Sequence, residues 1–88
     1  MTGPEKLGEV TVLFFAGARD ATSTSRASFD LAGRTLGRLV DQLRARYGPD
    51  LEAILPSCAV WVNGAPEPSE TVLRAGDEVA FLPPVSGG

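Results

Sequence analysis

The sequence predicts a single α+β domain in which one main helix covers one face of a mixed β-sheet. Two apolar stretches of strand length, residues 10–15 and 78–82, lie near opposite ends of the chain. Between them, residues 36–47 repeat their apolar side chains at helical rather than strand spacing. A chain of 88 residues leaves no material for a second core, because a domain of that size buries only roughly 60–65% of the surface its unfolded chain exposes.

Residues 1–8 read as a flexible lead-in, polar and interrupted by Gly3, Pro4 and Gly8. Residues 10–15 are β-branched and aromatic, and alternation of period two sets Val10, Val12 and Phe14 on one face. Gly17 and the small and charged residues around it break that pattern over 16–20, giving a loop or a single helical turn. A weaker strand fits residues 26–31, where Ala27, Phe29 and Leu31 alternate with Arg26, Ser28 and Asp30. Thr35 suits a helix N-cap, its hydroxyl accepting from a free N–H of the next turn. Leu36, Leu39, Val40, Leu43 and Tyr47 then form the buried stripe, and Gly48-Pro49 stops the helix. Its other side carries Arg34, Arg38, Asp41, Gln42, Arg44, Ala45 and Arg46. Arginines late in a helix favour the negative end of its dipole, so this reads as a solvated face.

Residues 50–55 fit another short helical turn before Pro56. Residues 58–62 form a third strand closed by Asn63-Gly64, the pair that most readily takes the positive φ angles of a tight hairpin. Pro66 and Pro68 each remove a backbone donor, which leaves the return arm a short edge. Residues 71–73 resume briefly, 75–77 turn the chain, and 78–82 form the last strand. With no repeat or linker, the organisation is a lead-in, one domain over 9–82 and a tail over 83–88.

Composition excludes several kinds of chemistry. The chain has no histidine, and so lacks the commonest acid–base group and metal ligand. A lone Cys58 cannot form an internal disulfide or a zinc cluster, so no metal site is expected; beside Ala59 and Val60 it reads as a small buried hydrophobe. The net charge of −3 argues against a nucleic-acid partner, which demands a basic face. Lys6 is the single lysine and falls in the lead-in. The start of the chain shows no basic region leading into an apolar stretch, and no run of 18 apolar residues occurs, so a cytoplasmic protein with no membrane partner is expected.

The tail Pro83-Pro84-Val85-Ser86-Gly87-Gly88 is the most informative segment. The diproline fixes φ and sends the chain out of the sheet as a stiff extended arm, reaching ~18 Å at ~3.1 Å per residue. Its tip is two residues without Cβ atoms followed by the α-carboxylate, a shape that threads a narrow channel and presents an unhindered carboxyl carbon.

Phe14-Phe15-Ala16-Gly17, Val62-Asn63-Gly64, the stretch from Leu73 to Leu82 and the tail together resemble the small, sulfur-carrying subunits of molybdopterin synthase, within the wider group of ubiquitin-like sulfur carriers. The resemblance spans residues 9–88 and implies a β-grasp fold with the first and last strands as central neighbours. It further implies that the Gly88 carboxylate is adenylated by an ATP-dependent activating enzyme, takes sulfur from a sulfurtransferase donor and becomes a thiocarboxylate. Sulfur then passes to the pterin precursor within the large subunit, into which residues 83–88 insert, in a heterotetramer. The small subunit is no enzyme on its own and binds no cofactor; the ATP is used by the activating enzyme. Ala18 stands where members of this group commonly carry a larger apolar residue, which implies a weaker or shifted partner contact there.

If the helix covers the Val10 face, Leu13, Phe15, Ala80 and Leu82 point the other way and form an apolar patch suited to a protein partner, unless segments 16–25 and 64–72 cover it. Trp61 is either an edge of the core or a rim anchor. Three other functions share parts of this pattern: a carrier for thiazole or cysteine synthesis, a ubiquitin-like modifier joined to target lysines through Gly88, and a binding module that uses only the sheet face.

Overall fold

In the computed structural model, the described residues are 8–83. In chain order they form β1 (Glu9–Phe14), α1 (Ala16–Thr22), β2 (Arg26–Asp30), α2 (Leu36–Tyr47), α3 (Pro49–Ile54), a 3-10 turn (Leu55–Ser57), β3 (Ala59–Val62), β4 (Ala65–Pro66) and β5 (Glu78–Leu82). The five strands make one mixed sheet in the order β2-β1-β5-β3-β4. β1 and β5 are parallel central neighbours, with Val12 opposite Val79 and Phe14 opposite Phe81. All other pairings are antiparallel. This is the ubiquitin-like β-grasp arrangement, with α2 as the main helix on one face.

The alternation read from β1 holds. Val10, Val12 and Phe14 are buried, and with Val79, Phe81, Val62 and Phe29 they form the sheet side of the core. Leu36, Leu39 and Leu43 close it from α2 and Leu51 from α3. Phe14 stacks on Phe81 at 6.0 Å between ring centroids and meets the edge of Tyr47 at 5.6 Å. All seven residues expected on the far side of α2 are exposed. Arg44 pairs there with Asp41, and the Arg46 guanidinium lies over the rings of Phe29 and Tyr47.

The entry to α2 is capped more fully than Thr35 alone implies. The Thr35 hydroxyl accepts from the Arg38 N–H at 3.2 Å. The Leu36 and Gly37 N–H groups donate to the carbonyls of Thr71 and Ser69. Residues 69–73 therefore act mainly as a backbone cap, which explains why the expected brief strand at 71–73 is a single bridge, Thr35 to Val72. Leu73 is fully buried and fastens the segment.

Two elements depart from the sequence reading. The first strand ends at Phe14, and Phe15 becomes the extended residue that starts α1, although its N–H still reaches the Phe81 carbonyl at 3.2 Å. Residues 16–22 are a full helix rather than a loop or one turn. Thr22 closes this helix: its buried hydroxyl donates to the carbonyls of Ala18 and Thr24. Ala18 is buried in the core, so the partner contact inferred there is corrected; the side chain is small because α1 lies close to the sheet and α3.

Asn63 and Gly64 both take positive φ, as the hairpin requires, at 52° and 85°. The Asn63 amide does more than turn the chain. Its Nδ2 donates to Asp77 Oδ1 and its Oδ1 accepts from the Glu78 N–H, both at 2.9 Å, while Asp77 Oδ2 accepts from the Arg74 N–H at 2.8 Å. The hairpin and the 74–77 turn thus hold the start of β5 from two sides. Replacing Asn63 by Ala removes these bonds and forces a Cβ-bearing apolar residue to φ 52°, for an expected loss of about 1–3 kcal/mol. Asn63→Gly, which keeps the backbone freedom, should lose less, as read from urea unfolding midpoints.

Candidate functional site

The register that buries one face of the sheet assembles the other. Across the strands, Arg26 stands opposite Leu13, Leu13 opposite Ala80, Ala80 opposite Trp61, and Trp61 opposite Pro66. One step further toward the end of β5, Leu82 is opposite Ala59, and Phe15 joins through its bond to Phe81. Side chains alternate across a strand, so Leu13, Phe15, Ala80 and Leu82 share the outer face as expected. Trp61 and Ala59 belong with them, so Trp61 stands on the outer face and is not an edge of the core.

Leu13, Ala80 and Leu82 are half-buried, whereas Phe15 is 42% and Trp61 38% exposed. The segments that might have covered them are engaged elsewhere. Helix α1 buries Ala18 and packs against α3, and residues 69–73 are bound to the start of α2. The other end of the same face is polar and acidic: Thr11 is opposite Ser28 and Glu78, and Glu9 is opposite Asp30. The outer face is therefore apolar at the end where β5 leaves the sheet and acidic at the end where it enters.

Pro83, exposed, is the last described residue and directly follows Leu82. The remaining tail positions singled out in the sequence, Pro84, Val85, Ser86, Gly87 and Gly88, lie outside the described residues. The tail root thus sits at the apolar end of the outer face, beside Phe15.

Cys58 is half-buried between the 3-10 turn and β3, packed against the core, and its burial raises the thiol pKa above the ordinary value. The neutral thiol is a poor nucleophile. An open depression of about 460 Å³ lies on the helix side, lined by Thr35, Gly37, Arg38, Val40, Asp41, Arg44 and Ser69. The helix-end donors beside it are already bonded. Among the described residues, no helix is long and apolar enough to cross a membrane.

A parallel pair of terminal strands at the centre of a mixed sheet, one helix-covered face and one open face defines a ubiquitin-like β-grasp domain whose carboxyl-terminal segment leaves from a central strand. The chain belongs to the ThiS family, whose pattern matches residues 12–88. It is 42% identical over 82 residues to the molybdopterin synthase sulfur carrier subunit of Mycobacterium tuberculosis, a match covering 91% of this chain and 98% of that one. Among solved structures it is similar to small archaeal modifier protein 1 from Methanosarcina acetivorans, with TM-score 0.77 and 30% identity over 92% of this chain and 97% of that one. It also resembles a chain in the complex of subunits 1 and 2 of molybdopterin-converting factor from Helicobacter pylori, with TM-score 0.68 and 27% identity over 91% and 99% of the two chains.

The signal that could have placed Trp61 was the alternation of the third strand: once Val62 faces the core, Trp61 faces out. For Cys58, burial sets the sign of the pH response. Its alkylation should be slower than that of a cysteine in an unfolded peptide at neutral pH, and should approach the peptide rate only above the ordinary thiol pKa, a profile measurable by mass spectrometry.

Proposed function

We propose that the chain is a sulfur carrier acting in the cytoplasm, whose Gly88 carboxylate is the working group. The carboxylate attacks the α-phosphate of ATP in an activating enzyme, releasing pyrophosphate and forming an acyl-adenylate. The terminal sulfur of a persulfide on a sulfurtransferase donor then displaces AMP to form an acyl disulfide, and a second thiol cleaves its S–S bond, leaving the thiocarboxylate and a disulfide between the two thiols. The carrier docks on the large subunit of molybdopterin synthase, inserts residues 83–88, and gives up sulfur for the dithiolene of molybdopterin. Two carriers at the ends of a large-subunit dimer would supply the two sulfurs.

The observation that carries this reading is the family match running through residue 88, so that the diproline arm and Gly87-Gly88 fall within the matched region. The relative from Mycobacterium tuberculosis, named as a sulfur carrier subunit and matched over 98% of its length, supports the same role. The two-subunit complex from Helicobacter pylori supports a large-subunit partner. The open apolar face at the tail root supplies the docking surface such a partner needs, with Phe15 and Trp61 as aromatic anchors. The chemistry also fits the composition: a protein that contributes only an activated carboxyl needs no histidine, metal cluster or reactive thiol of its own.

The likeness to small archaeal modifier protein 1 favours a second reading, a modifier joined to target lysines through Gly88. Intact mass separates the two. After incubation with a matching activating enzyme, ATP and a sulfur donor, exchange of one oxygen for one sulfur at Gly88 is expected; isopeptide adducts on other proteins without that exchange would establish the modifier. The thiocarboxylated chain, mixed with the large subunit and precursor, should then yield molybdopterin. Formation of thiazole in its own pathway instead would overturn the assignment.

Deleting Gly88 should abolish transfer without moving the unfolding midpoint, because the family's tail lies beyond the last strand. Phe15→Asp should weaken large-subunit binding by about tenfold or more while barely changing stability, since it puts a charge in place of an exposed aromatic side chain beside the tail root. Calorimetric titration checks the first effect and urea unfolding the second.

A further inference from the structure

Asn63 is the single asparagine of the chain, and Gly64 follows it. Asparagine is a thermolabile residue, because the backbone nitrogen of the next residue can attack its side-chain carbonyl carbon. A glycine in that next position has no side chain to crowd the approach. Asn63, Gly64 and Ala65 are all exposed at the hairpin tip. A Cβ built on Gly64 would meet nothing within 4 Å, so the space around the attacking atom is open. Among the described residues the Gly64 N–H has no hydrogen-bond partner, which leaves this nitrogen unengaged.

The clamp on the asparagine amide opposes that attack. A carboxylate oxygen of Asp77 only accepts and the Glu78 N–H only donates, so Nδ2 of Asn63 faces the first and Oδ1 the second, both at 2.9 Å. Held at both ends, the amide turns its carbon toward the Gly64 nitrogen only by giving up these bonds. Both bonds reach the start of β5, so reaction at residue 63 and release of that strand are linked. The products do not restore the clamp. A carboxylate at position 63 has no proton to donate and stands against Asp77 with the same charge, next to Glu78. An isoaspartate adds a backbone carbon at a position whose φ of 52° is already left-handed.

We propose that Asn63-Gly64 is a deamidation site restrained by the clamp to Asp77 and Glu78, and that reaction there releases the start of β5 irreversibly. The Gly64 nitrogen gives its proton to water and attacks Asn63 Cγ, forming a C–N bond. The bond from Cγ to Nδ2 then breaks and ammonia leaves, closing a succinimide ring. Water adds to either ring carbonyl carbon, and the bond from that carbon to the ring nitrogen breaks, giving aspartate or isoaspartate. Water is consumed and ammonia released in equal amounts, and no oxidant or reductant takes part. The step is independent of any chemistry at the carboxyl end of the chain.

The test holds the full chain in mildly alkaline buffer beside a peptide of residues 60–66, and follows residue 63 by peptide mapping and by enzymatic methylation of isoaspartate. Conversion in the folded chain should be slower than in the peptide by about tenfold or more, because the amide reacts only from the locally opened clamp. Asp77→Ala removes the acceptor for Nδ2 and should speed conversion by about threefold or more. Leu51→Val, a core change on α3 that leaves the clamp intact, should not. Unfolding midpoints should confirm that both variants fold. The isoaspartyl chain, separated by its added negative charge, should exchange the Glu78 N–H faster than the natural chain by about tenfold or more. The proposal is overturned if folded chain and peptide convert at the same rate, if Asp77→Ala leaves the rate unchanged, if Leu51→Val raises it as much, or if the isoaspartyl chain keeps the natural exchange rate at Glu78. The peptide comparison and the exchange measurement decide the matter even where Asp77→Ala fails to fold.

Discussion

The parallel pairing of β1 with β5 is the constraint on which the rest of the molecule depends. It joins the beginning and end of the domain at the centre of the sheet, extending from the Thr11 N–H on the Asp77 carbonyl to the Phe15 N–H on the Phe81 carbonyl. Parallel strands need a crossover, and here everything between them serves as one. The Phe14–Phe81 stack lies at the heart of the core that this crossover closes. Because the two strands run the same way, their exits fall at the same end of the sheet. That is why Phe15, leaving β1, stands beside Pro83, leaving β5, and why an apolar surface and a tail root coincide.

The helical layer depends on that sheet and on a less conspicuous device. Helix α2 begins against residues 69–73, which spend their carbonyls on its first free N–H groups rather than on a strand ladder. Drawing this segment to the helix side is one reason the outer face stays open. The Asn63–Asp77 clamp does the corresponding work at the other end of β5, holding the strand's start so that its register, and with it the row Leu13, Ala80, Trp61, is single-valued. The acidic pairing of Glu9 with Asp30 is kept at the far end of that face, where the Asp30 carboxylate also accepts the Gly8 N–H at 2.7 Å.

Much of this was legible in the residues. Strong alternation marked β1 and β5, heptad-like spacing with a Thr cap and a Gly-Pro stop bounded α2, and Asn63-Gly64 marked its turn. Helix α1 was not legible, because its apolar positions are alanines and Gly17 interrupts them; burial against the sheet and α3 makes it a helix. Residues 71–73 looked like a weak strand because capping of a distant helix by backbone carbonyls leaves no side-chain pattern. For the candidate site, the alternation showed which way Leu13, Phe15, Ala80 and Leu82 point, but Trp61 stayed ambiguous while the face of β3 was unknown.

The sequence by itself determined the types of the strongly patterned elements β1, α2 and β5, the polarity of their faces and the slender glycine end of the chain, because these follow from local periodicity, backbone restriction and residue type. Only the tertiary structure decided that β1 and β5 are parallel in this register, that the outer face is left open, and that Ala18 is core rather than contact. Those facts arise from pairings between residues far apart in the chain, and a pattern of neighbours along a sequence does not encode which strand lies beside which.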